Sequence, residues 1–321
     1  MNRLIAILLA MTLQGAALAQ TPEEKTYEKA LDLVHAYSGS GPELQQALTL
    51  AQELSRTAPE SGYSQVLQAE AMSTWALSQE GQPAEVRNQV ISLADEALKL
   101  NPKFAQAHAS KARALVRASM YDQAVTSIGA ALALDPNLSG AIFLRAEVLR
   151  RQGAIDDADI WYRKFIDSTT SRSRKANGYG WIGSMYQNAS WNDDVHRAEY
   201  VAKARAAYES MLTQEPGGAW RNVNFAIFLN EYAGDYDAAE RYAAKALGMM
   251  EFRMARYHLA AARYQKLSAT SSSLSPAQVQ KAVKKIANST GISLQDAIAF
   301  DAFSQRLVGR LSTLQGRIAA R

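Results

Sequence analysis

Four histidines, His35, His108, His196 and His258, are the residues of this 321-residue chain best suited to acid–base or metal chemistry. None stands at a recognisable metal-ligand spacing from another histidine or a carboxylate, and there is no cysteine to complete a site. His35 and His108 fall inside helical apolar stripes, which gives them packing roles. Asp156-Asp157-Ala158-Asp159 and Asp193-Asp194 gather acids as a cation site would. Both runs lie where a second helix of a pair begins, and carboxylates there complement the helix dipole. Gly178-Tyr179-Gly180-Trp181-Ile182-Gly183 matches a dinucleotide glycine fingerprint. That chemistry needs a strand immediately before the glycines, whereas the flanks here are Arg172–Asn177 and a helix. No nucleophile elbow or zinc-protease motif occurs. The expectation is a chain with no catalytic residues, no metal and no cofactor.

What the sequence does organise is a repeat. Ala105–Leu138 reads as two short helices joined by a turn near Ser119–Asp122 and closed by Asp135-Pro136-Asn137. The preceding closure is Asn101-Pro102, so the two prolines lie 34 residues apart. Ala112, Ala124 and Ala131 are small where helices must cross, and Leu115, Val125, Ile128 and Leu132 form the apolar stripe. Arg113 falls beside Ala112 on the exposed side. Pro136 cannot continue a helix and ends the unit. One helix pair cannot bury its apolar faces alone, so such units come in arrays.

A 34-residue period of paired helices with these residues resembles the tetratricopeptide repeat (TPR) family. The resemblance covers most of Thr26 to about Lys266 in six copies. Ser139–Phe165 repeats the pattern with Ala146, Leu149, Gly153, Ala158, Tyr162 and Phe165. The next copy carries Trp181-Ile182-Gly183-Ser184-Met185-Tyr186, then Ala204, Tyr208, Met211 and Pro216. Ala219–Leu247 follows, with Gly234-Asp235-Tyr236-Asp237, Ala239, Ala243 and Ala246. Ala69, Ala94, Ala97 and Pro102 mark an earlier copy, and Ala47, Ala51, Leu54 and Pro59 the first. Two copies are nine residues longer than standard, with the extra residues expected between the helices at Gln79–Pro83 and Gln187–Asp194. The resemblance implies an all-α fold, a right-handed α-solenoid of about six TPR-like helix pairs with C-terminal capping helices.

Four segments are expected. Residues 1–19 read as a secretory signal peptide, with Arg3, the apolar run Leu4–Leu13 and a small-residue cleavage site at Ala17-Leu18-Ala19. The run is too short to span a bilayer, which takes ~20 apolar residues. This implies a periplasmic or secreted protein. Residues 20–267 form the TPR superhelix, 268–274 a polar serine-rich linker, and 275–321 a basic helical cap. In the cap, Ser275-Pro276 starts one helix and Ser293 caps a second. The second carries the stripe Leu294, Ile298, Phe303, Leu307, Leu311, Leu314 and Ile318. Residues 241–321 hold 13 Lys or Arg against 3 acids, in a chain of net charge +4. Such asymmetry fits contact with an anionic surface, and the export signal counts against nucleic acid.

In the TPR family the first helix of each repeat lines the binding face. Here the resemblance places Arg113, Arg117, Arg150, Asn177, Gln187, Asn188 and Trp220 in a peptide-binding groove. The arginines suit a carboxylate, the amides a peptide backbone, and Trp220 an apolar anchor. A pairing of Arg113 with Glu147 is the competing structural use of that arginine. The functional expectation is a non-enzymatic adaptor or scaffold of the cell envelope that binds a protein or peptide partner. The alternative is a binding module for an anionic polysaccharide or lipid, using the basic C-terminal region. A third reading is an accessory subunit of an enzyme, or an enzyme whose site no motif reveals.

Overall fold

The computed structural model describes residues 20–37, 41–77, 84–300, 311 and 314–316. The signal-peptide residues 1–19, the expected extension at Gln79–Pro83, and Phe303, Leu307 and Ile318 of the terminal stripe lie outside the described residues. The chain divides into two compact units, Met1–Val148 and Leu149–Arg321.

The first unit holds α1 (Pro22–Ala36), α2 (Glu43–Thr57), α3 (Tyr63–Leu77), α4 (Ala84–Leu100), α5 (Ala105–Arg117), α6 (Tyr121–Leu134) and most of α7 (Ser139–Arg151). From α1 to α6 each helix packs on the next, α7 joins α6 through Ile128 with Leu144 and Ala131 with Ala141, and α1, α3 and α5 also touch in succession, forming one layer. Thr21 starts the array with a reciprocal cap. Its hydroxyl accepts from the Glu24 N–H at 3.1 Å, and the Glu24 carboxylate accepts from the Thr21 N–H at 2.8 Å. The two repeat closures are built alike. Asn101 Oδ1 accepts from the Lys103 N–H at 3.1 Å, and Asp135 Oδ1 from the Asn137 N–H at 2.9 Å. Side chains that mimic a backbone turn thus hold each helix end before its proline.

The small residues sit where the repeat requires them. Ala112, Ala124 and Ala131 are fully buried, and Leu115, Val116, Ile128, Leu144 and Val148 close over Ala112 and Ala124. Further back, Tyr27 stacks on Tyr63 at 4.7 Å with Phe104 edge-on to both. Ala109 joins Ala131 and Ala141 in the core and does not face solvent. Of the two histidines given packing roles, His108 is half-buried while His35 is exposed at the end of α1. The fully buried histidine is His258.

The second unit continues with α8 (Ile155–Asp167), α9 (Arg172–Asn192), α10 (Arg197–Gln214), α11 (Ala219–Phe228), α12 (Tyr236–Met249), α13 (Arg253–Thr270), α14 (Pro276–Thr290) and α15 (Leu294–Phe300). Here the extra residues of the lengthened repeat do not form a loop. Gln187–Asn192 are the last turns of the 21-residue α9, and α10 is 18 residues long. Gly183 lies under the Tyr208 ring, where an added Cβ would come within 3.0 Å of three ring atoms. The glycine therefore serves close helix approach. The acidic runs are spent locally: Asp159 pairs with Arg163, Asp156 with Lys203, Asp193 with His196 and Asp194 with Arg197.

The expected linker at 268–274 is also helical. α13 runs through Thr270 and a 3-10 turn spans Ser271–Ser273. The hydroxyls satisfy themselves on nearby carbonyls, Ser271 on Ser268 at 2.8 Å and Ser273 on Thr270 at 2.8 Å. With Leu267 and Leu274 packed into the core, the stretch has an apolar reason to stay ordered. α14 starts on a Ser275–Gln278 capping box with Pro276 in its first turn and ends on Gly291 at φ +70°, a left-handed cap that glycine adopts at little cost. Ser293 caps α15 through the Asp296 N–H at 3.0 Å. Leu294, Leu311 and Leu314 are buried with Tyr257, Tyr264 and Val279, and Ile298 packs against them.

Candidate functional site

One concavity of the second unit is a cleft of about 510 Å³ between α9 and α11. Residues three and four apart on a helix share a face. On α9 that spacing brings Asn177, Gly180, Ser184 and Gln187 to the cleft, and on α11 it brings Trp220, Asn224 and Ile227. Tyr208 and Met211 of α10 contribute to its floor, and Gly180 leaves room there because a side chain would meet the Met211 sulfur.

The amides are held in place. Tyr208 donates its hydroxyl to Gln187 Oε1 at 2.8 Å, and Gln187 also bonds Tyr232. Tyr232 reaches it from Leu229–Ala233, one π-helical turn at the end of α11. Burial raises the Tyr208 hydroxyl well above the usual tyrosine range, and the neighbouring Tyr232 adds to the effect, so this network stays protonated. At the other end Arg221 donates to Asn177 Oδ1 at 2.8 Å and pairs with Glu215 at 2.7 Å. Among the described residues lining the cleft Arg221 alone is charged, and Glu215 neutralises it. Trp220 is 56% exposed and rests against Phe252, ring centroids 4.7 Å apart. Met249 and Met250 are exposed nearby in the chain, at the turn before Phe252.

Of the residues expected in the groove, those of the second unit fall in two clefts. Asn177, Gln187 and Trp220 meet in this cleft. Arg150 and Asn188 line a different one of about 380 Å³, with Arg151, Gly153, Ile155, Asn192 and Tyr200. That cleft exists because the added turns of α9 stand beside the turn between α7 and α8. Arg113 and Arg117 belong to the first unit, where Arg113 pairs with Glu70 of α3 rather than with Glu147. Close to Trp220 in the chain, Val223 and Asn230 are core: Val223 is fully buried, and the buried Asn230 donates to the His258 carbonyl at 2.9 Å. Sequence reasoning passed over Tyr208, Arg221 and Asn224. Asn224 stands at the same helical spacing as Trp220 and could have been found from it.

Paired helices with small residues at the crossings, closed by proline turns, define a helix-pair repeat protein with the tetratricopeptide-repeat fold. Solved structures similar to the chain agree. They include Pseudomonas aeruginosa pilF (14% identity, TM-score 0.55, covering 79% of this chain and 98% of that one). PilW, described as a widely conserved type IV pilus biogenesis factor, is similar too (13%, 0.54, 74% and 97%). So is the human IFIT1 dimer with m7Gppp-AAAA (16%, 0.56, 97% and 72%). These likenesses are of fold. No protein-family model matches the sequence, and no curated protein matches it.

Proposed function

We propose that this chain is a non-enzymatic adaptor, exported to the cell envelope, that binds an extended segment of a partner protein in the α9–α11 cleft. The observation that carries this reading is the cleft's lining. Fixed amides along one wall suit the donors and acceptors of a peptide backbone, and the exposed Trp220 offers an anchor for an apolar side chain. A preformed, neutral lining favours a segment without charge at its centre, since binding then leaves no buried charge unpaired. Export is supported by Arg3, the Leu4–Leu13 run and Ala17-Leu18-Ala19. Among the described residues no helix is long and apolar enough to cross a membrane. Cleavage after Ala19 makes Gln20 the first residue, which mass spectrometry of exported protein reads directly.

A photo-crosslinking residue placed at Ser184 in the living cell tests the binding site. The expectation is one dominant protein adduct that is absent from the same probe at exposed Ile160, and whose purified partner loses affinity for Trp220→Ala. Equal adducts from both positions would move the binding surface elsewhere.

One observation favours a second reading, contact with an anionic envelope surface. Of the C-terminal cations, Arg256 pairs with Glu251 and Arg263 with Glu240. Lys281, Lys284 and Lys285 share an exposed face of α14, a helix with no acidic residue.

A further inference from the structure

The first unit contains a charge arrangement separate from that cleft. Glu70 of α3 is only 1% exposed, and both carboxylate oxygens are engaged from α5. Oε1 accepts from the Ser110 hydroxyl and Oε2 from the Arg113 guanidinium. Arg117 lies four residues beyond Arg113, on the same face of α5. Its Nη1 donates to the Ser73 carbonyl at 3.3 Å, and among the described residues no carboxylate lies within ion-pair distance of it. Among the described residues, two neighbouring guanidinium groups thus stand against one buried carboxylate, a balance of one net positive charge.

That charge is partly desolvated. Burial lowers the Arg117 guanidinium to about 10, the charge of Arg113 presses the same way, and only Glu70 opposes. Close to Glu70 and Arg113, the Tyr27 hydroxyl is buried with no hydrogen-bond partner among the described residues. Cations removed from water are ordinarily paired. A guanidinium presents five donors in a planar fork matched to oxyanions, and one long bond to Ser73 leaves most of that fork of Arg117 unused.

We propose that Arg117, backed by Arg113, is an oxyanion-binding site of the first unit that takes a carboxylate or phosphate group carried by a partner. Glu70 is the positioning residue. By holding Arg113 against α3 it fixes one guanidinium and leaves Arg117 as the cation that the ligand meets. An acidic side chain and a phosphate group share the required chemistry. The site stands whether or not the α9–α11 cleft binds a peptide.

The test follows the melting temperature of the full chain in glutarate and in inorganic phosphate, with sodium chloride holding ionic strength constant. A ligand that binds only the folded state raises stability with its concentration. Wild type should show a saturable rise of roughly 2–4 °C. Arg117→Gln should lose the rise, and Arg56→Gln, an exposed control on α2, should keep it. A response to glutarate alone assigns a carboxylate, and a response to phosphate alone assigns a phosphate. Glu70→Gln removes the opposing charge and frees Arg113, and should lower the half-saturating concentration several-fold. Should either variant fail to fold, the arginine Nε–H resonances of wild type supply the readout, since only those of Arg113 and Arg117 should shift on titration. No rise above the chloride control, a rise retained in Arg117→Gln, or resonances that stay still would overturn the proposal.

Discussion

The Tyr208 hydroxyl donates to Gln187 Oε1 at 2.8 Å across the floor of the α9–α11 cleft, joining two helices whose residues lie 21 positions apart. Gln187 also bonds Tyr232, so one amide fixes two tyrosines. Gln187→Ala removes the partner of a buried hydroxyl and should cost about 1–3 kcal/mol in chemical denaturation. Tyr208→Phe should cost less, because it removes the donor along with the need. The double variant should be less destabilised than the sum of the two single changes.

Trp220→Ala should weaken partner binding by about 2 kcal/mol or more, roughly 30-fold, as loss of an aromatic anchor does. The ring is exposed, so the melting temperature should change little. Asn188→Ala is the contrast. Its side chain lines the other cleft, so titration calorimetry should show affinity close to wild type. Similar losses in the two variants would place the partner across both clefts.

Ala112→Leu adds bulk to a fully buried helix crossing and should cost ~1–3 kcal/mol. From sequence, a leucine at neighbouring Arg113 is expected to be silent. The structure reverses this, because Arg113→Leu strands the buried carboxylate of Glu70. Breaking one side of such a pair costs about 3–5 kcal/mol. The order of the two melting temperatures therefore reports whether Glu70 is the partner.

His258 is buried on α13, and burial lowers its imidazole to about 4 from an ordinary 6.5. Between those values the unfolded chain binds a proton that the folded chain does not, so unfolding is favoured as pH falls. The stability in question is fully present above about pH 6.5 and is lost progressively down to about pH 4, a total of about 3 kcal/mol. In His258→Gln the fall in denaturation free energy between pH 7 and pH 4 should shrink by that amount. An unchanged slope would mean that another group carries it.

Neutralising Lys281, Lys284 and Lys285 to Gln should abolish any salt-sensitive binding to vesicles containing anionic phospholipid, at about 1 kcal/mol per lysine. Neutralising Arg256 and Arg263 should have less effect, since Glu251 and Glu240 already engage them. Co-sedimentation at low and moderate salt measures both. Binding that ignores the three lysines would remove α14 as the contact.

The repeat was legible because its rules are local. A proline 34 residues after another, alanines at the crossing positions and an apolar stripe at helical spacing fix helix ends and faces without reference to the rest of the chain. Ala112, Ala124 and Ala131 are buried as that pattern requires, and Ser275 and Ser293 cap the helices that they begin. The α9 stripe of Asn177, Gly180, Ser184 and Gln187 was likewise legible, because spacing alone puts those residues on one face. Where a face is directed, and what meets it, depends on contacts between distant segments. Glu70 lies 43 residues before Arg113, and nothing at either position announces the pair. The extra residues at Gln187–Asn192 could have formed a loop. They lengthen α9 instead, and this separates Asn188 from Gln187 into different clefts. The serines after Leu267 read as a linker by composition, yet they stay helical because Leu267 and Leu274 have a core to enter. The sequence by itself determined periodicity, caps and helix faces, which follow from one turn of backbone at a time. Only the tertiary structure decided which charges are neutralised and which amides share a cleft, because those depend on side chains brought together across helices.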